Sequence, residues 1–238
     1  MKKYFALLTV LVMTLSLVGC GGDENKSVVS PDVTPTSVSD ETETPAVNSD
    51  EKGIDSEAAS SGKTLILYFS SSNTKDVDAV SQATSKVGDI SSTEWIAKTI
   101  QEKVGGDIEK LIPSVDYPLE YDACADAAKE ETDSDARPEF EPLELDPAEY
   151  DTIFIGYPMW WYTIPMVLET FFDKYDLTGK TIIPFNTHEG SGDGGTYDTI
   201  REREPGASVS EGLAIRGGNA GSDDAKNEID QWLTGLGY

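Results

Sequence analysis

Residues 150–165 read YDTIFIGYPMWWYTIP, and the fold turns on how this stretch is read. Thr152 to Ile155 form a short run with little polar alternation, the pattern of a strand buried on both faces of a parallel sheet. The run stops at Gly156, and Pro158, Met159, Trp160, Trp161 and Tyr162 follow almost at once, so a strand ends by releasing three large aromatic rings into a loop. MVLETFFDKY, residues 166–175, then has apolar residues at helical spacing.

The same strand–loop–helix alternation extends in both directions. LILYF (65–69), DIEKLI (107–112), KTIIPFN (180–186) and SVSEGLAI (208–215) read as four more strands. Helical patterns separate them in TEWIAKTIQEKVGG (93–106), TYDTIRERE (196–204) and DDAKNEIDQWLTGL (223–236). Ser91 stands at N-cap and Glu94 at N3 of the first of these, the spacing of a capping box, and Gly105-Gly106 stops it. Strands alternating with helices predict an α/β domain over residues 63–238, a doubly wound five-stranded parallel sheet of order 2-1-3-4-5. In such sheets ligands bind beyond the carboxyl ends of the strands at the switch point, which singles out the loops after strands one, three and four.

Each of those loops carries unusual chemistry. After the first strand, Ser70, Ser71, Ser72, Asn73 and Thr74 offer hydroxyls, an amide and closely spaced backbone N–H groups suited to an anion. The third is followed by the aromatic run. After the fourth comes NTHEGSGDGGTY, whose glycines let backbone approach a flat ligand closely.

Upstream of residue 63 the chain is of a different kind. MKKYFALLTVLVMTLSLVGC opens with Lys2 and Lys3, continues through an apolar core and ends Gly19-Cys20, a layout that resembles a bacterial lipoprotein leader. The resemblance implies cleavage after residue 19 and a lipid on Cys20, placing the domain outside the cytoplasmic membrane and holding it there. Residues 20–62 are rich in Ser, Thr, Pro, Asp and Glu without a sustained period, which reads as a disordered acidic linker. About 40 residues of such chain span roughly 35 Å on average. With Cys20 lipidated, only Cys124 remains, so the mature chain has no intrachain disulfide.

Charge excludes one class of partner. The chain carries 44 acidic against 18 basic residues, a net charge of −26, and nucleic acid requires a positive footprint. One His and one free Cys supply no soft-ligand metal cluster, and the acidic residues lack EF-hand spacing. No P-loop motif occurs. Gly190 to Gly195 formally satisfy G-x-G-x-x-G, but after the fourth strand rather than in the first βα turn where a dinucleotide fingerprint belongs. Asp122, Asp126, Glu130 and Glu131 read as the solvated face of a helix.

Taken together, DYPLEYDACADAAKEE (116–131), DARP (135–138), YDTIFIGYPMWWYTIP and GKTIIPFNTHEGSG (179–192) resemble the flavodoxin family over nearly the whole domain. The resemblance implies a flavodoxin-like fold and FMN as cofactor. It also implies that Pro158, Met159, Trp160, Trp161 and Tyr162 wall the isoalloxazine ring, with Thr187, His188, Gly190, Ser191 and Gly192 in the facing loop. Adjacent residues of an extended chain point to opposite sides, so at most one of the two tryptophans is expected to face inward. His188 and Tyr162 are the candidates for contact with a reacting group. The phosphate loop departs from the family pattern, since SSSNT lacks its Gly and an insertion intervenes before the helix. A split phosphate site is therefore expected, with Ser70 to Thr74 on one side and Ser92 and Thr93 on the other; the alternative is a relocated or weakened site. Three functions fit: an electron carrier between redox partner proteins, an FMN-dependent reductase of a small acceptor such as a quinone, or a cofactor-free surface binding protein. The reductase reading expects a pocket shaped by Tyr162, His188 and the segment 117–138.

Overall fold

The computed structural model describes residues 62–71, 87–118 and 120–238. The leader, Cys20, the linker through residue 61, and Ser72, Asn73 and Thr74 of the first loop lie outside the described residues.

The sheet has the order read from the sequence. Strands β1 (Thr64–Phe69), β2 (Asp107–Leu111), β3 (Thr152–Pro158) and β4 (Thr181–His188) run parallel in the order β2-β1-β3-β4. The fifth strand departs from expectation by splitting into β5 (Ser208–Val209) and β6 (Leu213–Arg216), both parallel to β4. β5 pairs with Thr181 and Ile182, and β6 with Phe185 to His188. The gap therefore falls beside Ile183 and Pro184, where Pro184 has no N–H to give the ladder. Gly212 closes the gap, and a Cβ there would lie 2.6 Å from the Pro184 carbonyl oxygen.

Helices cover both faces. Leu65, Leu67, Phe69, Ile153 and Ile155 point into a core completed by α2 (Tyr121–Asp133), α3 (Met166–Lys174) and α4 (Thr196–Arg203). Ile66, Tyr68, Phe154 and Phe185 point the other way, onto α1 (Ser92–Val104) and α5 (Asp223–Gly235). Double-sided burial is why these strands read as continuous apolar runs. Each fully buried aliphatic side chain contributes about 1.5–3 kcal/mol of transfer free energy.

The start of α1 is fixed by Ser91, whose Oγ accepts the Glu94 N–H at 3.1 Å. The capping box is half formed, because the Glu94 carboxylate pairs with Lys98 one turn on, at 2.6 Å, instead of turning back. On α2 the expectation of a solvated acidic face is corrected at Glu131. Its carboxylate accepts the Tyr117 hydroxyl at 2.8 Å, and burial raises its pKa. Cys124, two turns earlier, is fully buried, and burial pushes its thiol up to about 11, leaving it inert.

Candidate functional site

The carboxyl ends of β1, β3 and β4 converge on one end of the sheet. β3 and β4 run in register to their last residues, with Tyr157 opposite Asn186 and Pro158 opposite Thr187. The Met159 N–H continues the ladder, donating to the Thr187 carbonyl at 2.8 Å.

Beyond Met159 the chain reverses in a two-residue turn. Trp160 and Thr163 exchange backbone hydrogen bonds of 3.2 and 2.9 Å, and the residues between them, Trp161 and Tyr162, have φ of 49° and 61°. Two positive φ values at the centre are the pattern of a type I′ turn, whose usual occupants are Asn and Gly. For residues with a Cβ this conformation costs roughly 1–2 kcal/mol each. Strain of this kind is sustained only by its surroundings and gathers at functional sites. Its effect here is to separate three adjacent rings. Trp160 is buried in the core, edge-on to Phe69 and Tyr117 with ring centres 5.2 and 4.8 Å away. Trp161 is half exposed and anchored by its indole N–H to the Ala125 carbonyl at 2.9 Å, and Tyr162 is 74% exposed. The expectation that Trp160 forms part of a ligand wall is therefore corrected: the strained turn sends its side chain to the core and leaves Trp161 and Tyr162 outside.

These two rings, with Met159, Tyr121, Glu189, Gly190 and Ser191, line a cavity of about 470 Å³. The sequence alone does not mark Tyr121 or Glu189 as site residues. Tyr121 opens a helix far away in the chain, and no local pattern marks it. Glu189 adjoins His188, and its place in the loop was the one available signal.

The facing loop is built from its own polar groups. His188 Nδ1 accepts the N–H groups of Gly190 and Gly192 at 2.9 and 3.1 Å. An acceptor nitrogen is deprotonated, and the histidine's pKa is lowered, chiefly by burial. Gly192, at φ 63°, is in the left-handed region and returns its carbonyl to the Asn186 amide at 3.0 Å. Asn186 is itself buried and accepts the Tyr197 hydroxyl, while the Tyr157 and Thr196 hydroxyls bond each other at 2.7 Å. His188 thus braces the loop rather than lining the cavity, whereas Gly190 and Ser191 do line it.

A second feature lies at the same end of the sheet. Ser70, Ser71, Ser92, Thr93 and Thr187 are all buried, and the Thr93 and Thr187 hydroxyls lie 2.8 Å apart. Ser92 and Thr93 form the first turn of α1, where the helix dipole and leftover N–H groups favour an anion. Ser70 Oγ is fully buried and has no hydrogen-bond partner among the described residues, an orphan that a ligand oxygen would satisfy. The hydroxyls and helix N–H groups, with no cation beside them among the described residues, suit a phosphate ester, and the aromatic-lined cavity suits a flat ring. The donor set therefore fits FMN.

Of segment 117–138, Tyr121 alone among the described residues lines this cavity with Tyr162, so the pocket the reductase reading expects forms only in part. Tyr117, Glu131, Arg137 and Pro138 line a separate cavity of about 550 Å³, while Tyr162 lines the first.

Comparison with known proteins agrees with this architecture. A search of curated proteins finds no match. Among solved structures, a proposed flavoprotein from Bacteroides uniformis is 29% identical, with a TM-score of 0.57 over 73% of this chain and 98% of that one. One from Bacteroides eggerthii is 26% identical, with a TM-score of 0.58 over 74% and 99%. A Lactobacillus acidophilus flavoprotein, solved in complex with FMN, shares the fold at 22% identity and a TM-score of 0.52, over 72% and 99%. The family model for flavodoxin matches residues 63–235. With the 2-1-3-4-5 sheet and a match spanning nearly all of the domain, the chain belongs to the flavodoxin family.

Proposed function

We propose that this chain binds FMN and carries electrons outside the cytoplasmic membrane, tethered there by a lipid on Cys20. The observation that carries the FMN reading is the pairing of two sites at one end of the sheet. One is the buried hydroxyl cluster with its orphaned Ser70 Oγ; the other is the cavity walled by Trp161 and Tyr162. Bound there, the flavin would supply the redox chemistry. Trp161 and Tyr162 would stack on or flank its ring, a contact worth about 0.5–1.5 kcal/mol beyond area burial. Ser70, Ser92 and Thr93 would hold its phosphate. Because the cavity lining has no cation among the described residues and the chain is strongly acidic, added negative charge on the ring is disfavoured, so a low reduction potential is expected.

Carriage rather than substrate turnover is favoured by how open the ring site is. The cavity of 470 Å³ lies in the lower half of the range for single-ligand pockets, about 300–1,000 Å³. Tyr162, at 74% exposure, would leave a bound ring open to approach by a redox partner protein. A place outside the membrane also weighs against a nicotinamide-dependent reductase, because reduced nicotinamide is a cytoplasmic hydride source.

The test is stepwise anaerobic reduction of the FMN-loaded full chain, followed in the visible spectrum. Two resolved one-electron steps support a carrier. A single two-electron step, accompanied by catalytic reduction of a small quinone, would replace it with the reductase.

A further inference from the structure

We propose that the ion pair between Glu189 and Arg216 sets how strongly the cleft disfavours reduced flavin; the proposal rests on FMN binding in the cavity described above. Glu189 is the one charged residue in the lining of that cavity among the described residues. Its side chain is 24% exposed, and its Oε2 accepts from Arg216 Nε at 3.2 Å. Arg216 is outside the lining.

The pair is positioned by the sheet rather than by two free surface chains. Arg216 is the last residue of β6 and stands in register opposite His188 of β4, so the residue after His188 meets it at the sheet edge. The His188 brace and the Asn186 bond to Gly192 then fix the loop on which Glu189 sits. The split of the fifth strand is what allows β6 to pair at this end of β4.

Reduction adds electrons to the ring, and a carboxylate beside it opposes that added charge. Arg216 offsets the opposition because it is one ion-pair distance behind the carboxylate. Removing Arg216 leaves the Glu189 charge facing the cleft uncompensated, and removing Glu189 leaves a cation behind an uncharged wall. The two changes therefore act with opposite sign. A merely structural role for the pair would move both variants the same way, since each breaks the same contact.

The experiment uses the full chain with FMN as the probe. Dissociation constants for oxidised FMN and midpoint potentials are measured for wild type, Glu189→Gln, Arg216→Gln, the double variant and Glu189→Asp. Glu189→Gln is expected to strengthen binding of reduced over oxidised flavin about tenfold, a rise of about 59 mV for one electron. Arg216→Gln is expected to lower the ratio by a similar factor. The double variant should return within about threefold of wild type, and Glu189→Asp should retain the wild-type sign. High salt should shrink both single shifts, because the pair is partly exposed. Same-direction shifts in the two single variants, or no shift in either while wild type binds FMN, would overturn the proposal. Failure of the wild-type chain to bind FMN would overturn the functional reading and this inference with it.

Discussion

The side-chain hydroxyls of Thr93 and Thr187 are 2.8 Å apart and buried, although 94 residues separate them in the chain. Their contact joins the first turn of α1 to the end of β4, so the hydroxyl cluster and the ring-facing loop are parts of one rigid assembly. Thr93→Val removes one partner of a buried hydrogen bond, which costs about 1–3 kcal/mol, to be read in denaturant unfolding of the apo chain. Changing Ser92 and Thr93 together to Ala should weaken FMN binding more than about tenfold, the loss of two donors to a charged group. Fluorescence titration reads that loss, and an unchanged dissociation constant would remove the phosphate assignment.

The turn at Trp161 and Tyr162 sets stability against binding. Tyr162→Gly relieves one positive φ at an exposed position and should raise the unfolding free energy by about 1 kcal/mol. It also deletes a ring from the cavity, so FMN affinity should fall roughly threefold to tenfold. Thermal melting and FMN titration of the same variant should move in opposite directions. If both fall, the turn is not strained in the way its geometry implies.

The two tryptophans should separate cleanly. Trp160→Ala empties a fully buried site against Phe69 and Tyr117 and should cost about 3–5 kcal/mol of stability. Trp161→Ala loses one hydrogen bond to Ala125 at a half-exposed site, about 1 kcal/mol, while acting mainly on FMN affinity. Urea unfolding of the two apo variants checks the order.

His188 makes the loop sensitive to acid. The folded state holds the neutral ring, because Nδ1 accepts two N–H groups and burial disfavours the charge, with Glu189 and Glu228 opposing that shift and Arg216 adding to it. Its pKa therefore lies below the ordinary value of 6.5, and the unfolded chain binds more protons in the interval between. The loop's stability and FMN affinity should be complete above about pH 6.5 and decline as pH falls through the folded value. His188→Asn, which cannot titrate, should flatten that decline. A profile with the same acid limb in the variant would place the sensitive group elsewhere.

Much of this architecture is visible in the amino-acid sequence, because burial on both faces leaves strands such as Leu65 to Phe69 and Ile153 to Ile155 apolar throughout. Their alternation with helical periods then dictates the sheet. The split of the fifth strand is less legible, since it depends on Pro184 of a neighbouring strand and not on residues 208–216 themselves. The aromatic run announces a ligand loop, but adjacent rings carry no record of which one turns inward. That choice depends on two positive φ values at residues whose propensities oppose them. Glu131 has the spacing of a solvated helix face, yet Tyr117 folds over it from the loop before α2. His188 stands in the expected loop and spends both of its accepted hydrogen bonds on the loop's own backbone. Tyr121 reaches the cavity only through the packing of α2 on the sheet.

Whether one end of this sheet holds a flavin ring and its phosphate together is read by comparing FMN with riboflavin in fluorescence titrations of the full chain. Quenching on binding is expected, with FMN held at least about tenfold more tightly than riboflavin because the buried hydroxyls and the α1 N-terminus engage the phosphate. Absence of FMN binding, or equal affinity for the two flavins, would contradict it.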